Sequence, residues 1–142
     1  MSRVITPFDE LRWQQQVEDR LDRLERRLTE QVWYVIGQFG APIFQNNWTN
    51  YGSGYNTCAF MRDANGFVHL RGLIMSGTVA TGPTGVIFTL PIGFRPEMRE
   101  LINVQSASVL GRVDIDNAGA VYAYSGSNVW FSLDSITFKA VV

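Results

Sequence analysis

The sequence predicts a mainly β protein: an antiparallel β-sandwich head, jelly-roll-like, preceded by a short N-terminal α-helical trimeric coiled coil. Three observations predict it. Residues 9 to 32 carry twelve charged residues and no Gly or Pro, whereas residues 33 to 142 carry only twelve over more than four times that length. All 13 glycines lie between Gly37 and Gly126. The spacing of apolar residues changes from seven to two near Trp33. A charged, glycine-free segment suits a helix with wet faces, and a Gly-rich alternating one suits short strands and tight turns. The expected organisation is an N-terminal extension over 1–8, a coiled-coil helix over 9–32, a connector over 33–45 and a β head over 46–142.

In the helix, Val17, Leu21, Leu24 and Leu28 recur at steps of four, three and four. This is a heptad stripe with Leu21 and Leu28 at a and Val17 and Leu24 at d. Gln14 and Gln31 continue it with polar residues, so the seam is short. Residues 10 to 32 span roughly 35 Å at ~1.5 Å per residue. Such a helix is marginal alone, and its stripe needs a partner. Pro7 or Asp9 marks its start, Asp9 being able to cap free N–H groups. Arg20 falls at g and Glu25 at e of the next heptad, where they meet across parallel chains. The spacing of "RLDRLE" (residues 20–25) resembles a pattern of short trimeric parallel coiled coils. A dimer, and a helix lying on its own domain, are the alternatives.

The head follows. In "FVHLRGLIM", Val68, Leu70, Gly72 and Ile74 share one face, and Phe67, His69, Arg71, Leu73 and Met75 the other. "VIFTL", "VLGRVDID" and "ITFKAVV" alternate in the same way and are bounded by Gly, Pro, Asn or Asp. Eight to ten strands are expected. Asp63-Ala-Asn-Gly66 and Asp116-Asn-Ala-Gly119 are two similar hairpin turns. "GTVATGPTG" lacks the Lys-Ser/Thr end of a phosphate loop and reads as a connection between strands. Leu73, Met75 and Ile87 occupy positions where water is expected, so their faces are candidates for burial between subunits.

The charge balance and residue inventory exclude several function classes. The chain has 142 residues, 46% of them apolar, and a net charge of −1. Binding nucleic acid through bulk positive charge is not expected. A single cysteine, Cys58, rules out an intrachain disulfide and reads as a small core residue. No apolar run has the length of a signal peptide or a membrane span, so synthesis in a cytoplasm without membrane insertion is expected. His69 is the sole histidine and reads as satisfied or solvent-facing, because nothing nearby marks a nucleophile. "DIDNAG" lacks the downstream acidic ligand of a calcium loop. The head has only six acidic residues: Asp63, Glu97, Glu100, Asp114, Asp116 and Asp134. No paired carboxylates of a glycan hydrolase stand out. Neither catalysis, a cofactor nor a metal is expected.

What remains is aromatic and amide-rich surface. "QNNWTNYGSGYN" sets Trp48, Tyr51 and Tyr55 among Asn, Ser, Thr and Gly. Tyr122 and Tyr124 share a strand face, and Trp130 follows a Gly-Ser turn. Sugar C–H faces stack on aromatic rings while amides take the hydroxyls. Tyr51, Tyr55, Tyr122, Tyr124 and Trp130 are therefore candidate ligand-binding residues. The alternative places the tryptophans in the core and the tyrosines at subunit contacts.

The stretches "NNWTNYG", "FMRDANGFVHLRGLI", "GVIFTLPIGFRP", "GRVDIDNAGAVY" and "VWFSLDSITFKA" together resemble the C-terminal head of bacteriophage minor tail proteins and tail-fibre tips, especially in long-tailed phages of actinobacteria. The resemblance covers residues 46 to 142. Family members often carry Gly in place of Ser135 and Lys in place of Arg62. The strong preference for Arg, with Lys139 the only lysine, agrees with a GC-rich host. The resemblance implies a homotrimeric receptor-binding protein at the virion tail tip. It would recognise a host cell-surface glycan and contact other tail proteins through its N-terminus. The alternative is a purely structural tail or baseplate component.

Overall fold

The computed structural model describes residues 6–30 and 32–141, and all of their side chains except those of 27–30. A helix, α1, runs over Pro7–Glu30, and eleven strands follow: β1 Tyr34–Val35, β2 Thr49–Asn50, β3 Ala59–Arg62, β4 Phe67–Arg71, β5 Leu73–Met75, β6 Val86–Thr89, β7 Glu100–Ser106, β8 Val109–Ile115, β9 Ala120–Ser125, β10 Phe131–Ser132 and β11 Thr137–Lys139. The extra strand beyond the expected range comes from two-residue pairings that no periodicity can announce.

Helix α1 starts at Pro7, the first of the two expected starts. The Asp9 N–H donates to Thr6 Oγ1 at 3.2 Å, and Thr6 Oγ1 donates back to Asp9 Oδ2 at 2.9 Å. Thr6 is thus the cap, Pro7 the first helical residue and Asp9 the reciprocating acid of a capping box. Val17 is half-buried, and Leu21 and Leu24 are 52% and 54% exposed. Among the described residues the head therefore leaves Leu21 and Leu24 uncovered. Arg20 and Glu25 lie on the helix surface. The Leu28 side chain, Gln31 and residues 1–5 lie outside the described residues.

The strands form three antiparallel sheets, ordered β1-β3-β4-β11, β10-β5-β2 and β6-β9-β8-β7. They enclose one core, in which Phe60, Ile74, Ile87, Phe88, Ile115, Phe131 and Leu133 are at most 1% exposed. Val68, Leu70 and Ile74 point inward as the alternation predicts. The stretch expected only as a connector enters the head: Tyr34 pairs with Phe60 and stacks on its ring at 5.4 Å, and Ile36 is buried.

Gly72 moves the chain from one sheet to the next between β4 and β5. Its φ is +132°, and a Cβ there would sit 2.5 Å from the Cys58 Cα. This switch explains why Leu73 is buried rather than wet: beyond Gly72 the strand lies in a different sheet and is covered on both faces. Met75 is half-buried. Ile87 is also fully buried, because the β6–β9 register shifts between Val86 and Phe88 and residues 45 and 46 lie along the other edge of β6. There the Gln45 N–H donates to the Ile87 carbonyl at 2.8 Å, and Asn46 Nδ2 donates to the Val86 carbonyl at 2.8 Å. Leu73 and Ile87 therefore form no exposed subunit face, and of the three only Met75 remains partly open.

The two Asp turns are copies in detail. Asp63 Oδ1 accepts from the N–H groups of Asn65 and Phe67 at 2.9 and 3.0 Å, and Asp116 Oδ1 from those of Ala118 and Ala120 at 3.1 and 2.9 Å. In each, the other carboxylate oxygen holds the residue six positions on. Asp63 pairs with His69 Nε2 at 2.8 Å, and Asp116 accepts from the Tyr122 hydroxyl at 3.1 Å.

Candidate functional site

Strand β2 pairs with β5, so the following residue, Tyr51, lies along it: its N–H donates to the Leu73 carbonyl at 2.9 Å. The chain then reverses through Gly52, Ser53 and Gly54, with φ of +77°, +55° and +87°. Three successive left-handed residues fold the loop back on itself. Tyr55 returns with its N–H on the Gly52 carbonyl at 3.1 Å. Its ring meets that of Tyr51 at 5.5 Å between centroids and 80° between planes, which makes a right-angled aromatic corner.

Trp130 reaches this corner from the far end of the chain. Phe131 is fully buried and pairs with Ile74, so alternation turns Trp130 and Ser132 to the opposite face. Asp134 follows in a tight turn. Its Oδ1 accepts from the Gly72 N–H at 2.8 Å and from Asn56 Nδ2 at 3.3 Å, and its own N–H donates to Ser132 Oγ at 3.3 Å. Among the described residues, Asp134 Oδ2 takes no hydrogen bond. Gln105, exposed on β7, closes the far side. Tyr51, Tyr55, Gln105, Trp130, Ser132 and Asp134 line a cleft of about 280 Å³ with Leu73 among its walls. Three aromatic rings, an amide, a hydroxyl and a carboxylate thus converge from three separate stretches of the chain.

Tyr122 and Tyr124 are not brought to this cleft. They lie on the outward face of the β6-β9-β8-β7 sheet, each under a guanidinium: Arg99 is 5.0 Å from the Tyr122 ring centroid and Arg112 is 3.8 Å from that of Tyr124. Both arginines also clamp Asp114, whose side chain is fully buried, with contacts of 2.8 and 2.7 Å. Burial and the hydrogen bond to Asp116 push the Tyr122 phenol above its ordinary range. Their rings are engaged within the chain. Trp48 is a core residue, 3% exposed and packed on Phe131 at 5.6 Å. Gln105, Ser132 and Asp134 were missed in the sequence because an isolated Gln, Ser or Asp on a β edge or turn carries no local signal.

The remaining reactive groups are structurally committed. His69 is held between Asp63 and Thr137 Oγ1, the latter at 3.1 Å. Cys58 is fully buried, and burial drives its thiol far above the ordinary thiol range, with the Asp134 charge adding to the effect. This is the opposite of an activated thiolate. Among the described residues no group of three His, Cys, Asp or Glu is placed to hold a metal ion, and no helix is long and apolar enough to cross a membrane.

No protein-family model matches the chain, and no curated protein matches it in sequence. Its fold is nevertheless found in a solved structure. The chain is similar to the receptor binding protein of Listeria phage PSA, with a TM-score of 0.60 over 98% of this chain and 89% of that one, at 14% identity. The likeness is one of fold, shared with a phage receptor-binding protein at low sequence identity.

Proposed function

We propose that this protein is a homotrimeric receptor-binding protein of a phage tail tip, which attaches the virion to saccharide on the host surface without catalysis. The observation that carries this reading is the convergence of Tyr51, Tyr55 and Trp130 on one cleft. Trp130 is distant in sequence from Tyr51 and Tyr55, and the fold that gathers them is similar to that of a phage receptor-binding protein. Aromatic faces stack on sugar C–H groups, and Gln105, Ser132 and Asp134 supply hydrogen-bonding groups for hydroxyls. Helix α1 joins three copies along Val17, Leu21, Leu24 and Leu28, with Arg20 and Glu25 pairing across chains. Half-exposed leucines at 21 and 24 support this, since the described part of their own chain leaves them uncovered and a partner helix would bury them. Three weak sites on one particle hold far longer than one. The segment before α1 joins the other tail proteins.

The test is sedimentation of labelled intact protein with purified cell walls from a panel of actinobacteria and from Listeria. The expected result is binding to the walls of one host group, reduced roughly five- to thirtyfold by Trp130→Ala or Tyr55→Ala, each change removing a ring worth roughly 1–2 kcal/mol of contact. The stacked, half-buried Tyr122 and Tyr124 favour a second reading, a purely structural tail component. That reading predicts no binding to any wall.

A further inference from the structure

The aromatic cleft has a charge bias that narrows its ligand, if saccharide binding there is taken as given. Among the described residues, Asp134 is the sole charged side chain lining the cleft, and no Lys or Arg lines it. The basic residues of the head are engaged elsewhere: Arg99 and Arg112 on Asp114, Arg62 on the Gly93 carbonyl, Arg95 on the Leu90 carbonyl, Arg71 over Trp33 and Lys139 on the Asn65 carbonyl. The rings of Tyr51 and Tyr55 stand at right angles, so one presents a face where the other presents an edge. An aromatic face carries negative charge density, and together with a carboxylate it attracts a cation. The turn through Gly72 and Asn56 fixes Asp134 by Oδ1 and leaves Oδ2 without a hydrogen bond among the described residues. Gln105 and Ser132 flank it with neutral polar groups.

We propose that the cleft selects a saccharide bearing a free, protonated amino group, such as an unacetylated amino sugar, over neutral and anionic sugars. The ammonium sits against Asp134 Oδ2 and the aromatic corner, and the sugar ring stacks on Trp130. A phosphate or uronate would face the Asp134 carboxylate with no cation to receive it, which costs affinity. This proposal rests on the saccharide-binding reading and specifies its ligand.

The experiment is calorimetric titration of the intact protein with methyl glucosaminide, methyl N-acetylglucosaminide, methyl glucoside and methyl glucuronide as probes. The amine is expected to bind roughly tenfold tighter than the neutral sugars, and the glucuronide weakest of all. Asp134→Asn should abolish the preference for the amine. Because Asp134 also holds the Gly72 N–H, Gln105→Lys is the second variant: it puts a cation at the cleft without touching that turn. It should reverse the order, favouring the glucuronide over the amine. Equal binding of all four sugars, abolished by Trp130→Ala, overturns the amine preference and leaves saccharide binding standing. An unchanged order in both variants also overturns it. Absence of binding by any probe, together with wall binding that Trp130→Ala leaves intact, overturns the saccharide reading and this inference with it.

Discussion

Single residues decide how the head is wired. Gly72 stands where β4 ends and β5 begins, with φ of +132° and no space for a Cβ beside Cys58. Gly72→Ala meets both an unfavourable backbone region and a backbone clash. It should destabilise the head by about 3 kcal/mol or more, read from urea denaturation. Cys58 lies against it, fully buried, with its thiol held protonated by burial and by the Asp134 charge. The native protein should therefore resist an aromatic disulfide reagent, and its labelling rate should follow global unfolding. Asp63 tests the turns. Desolvation works to raise its pKa, but hydrogen bonds from His69, Phe67 and Asn65, with the His69 charge, outweigh it and the net shift is downward. A carboxylate depressed on folding contributes stability that is present above its unfolded value of roughly 3.9 and lost as pH falls through the folded value. Wild type should exceed Asp63→Asn in urea midpoint at pH 7, and the gap should shrink at pH 3. A gap that widens in acid would contradict this sign.

At the scale of elements, the helix and the strands obey different rules. Helix α1 has a capping box and twelve charged side chains, and its Leu21 and Leu24 are half exposed in a single chain. A helix with so narrow a stripe is stable only when the stripe is covered. Under the proposed trimer the intact chain should scatter light at three times 16.0 kDa, about 48 kDa. The double variant Leu21→Ser, Leu24→Ser should lower that mass or loosen the assembly at low concentration. Retention of an unchanged trimer would move the assembly contacts to the head. The strands illustrate how far alternation carries. It places Val68, Leu70, Ile136, Phe138 and Ala140 inside, as found. It fails at Leu73 and Ile87, because a period of two assumes one covered face, and those residues lie where a sheet switch or a crossing segment covers both.

For the whole molecule, the proposed mechanism depends on the helix and the cleft acting together. Each cleft is open and small, about 280 Å³, which suits one or two sugar residues bound weakly. Linking copies raises apparent affinity by about 10²–10⁴ without any new contact. The Leu21→Ser, Leu24→Ser variant, if dissociated, should lose wall binding by roughly that factor while its affinity for a soluble monosaccharide is unchanged. Loss of both would mean that the cleft itself needs the assembled form. The sequence by itself determined the division into a charged helix and a Gly-rich β head, the heptad stripe, the inward faces of most strands and the twin Asp turns. These are local patterns, set by periodicity and turn chemistry over a few residues. Only the tertiary structure decided that Tyr51, Tyr55 and Trp130 meet beside Asp134 while Tyr122 and Tyr124 are held under Arg99 and Arg112 on another sheet. That choice depends on which strands pair, in what register, and where Gly72 turns the chain, and no short window of sequence contains those long-range contacts.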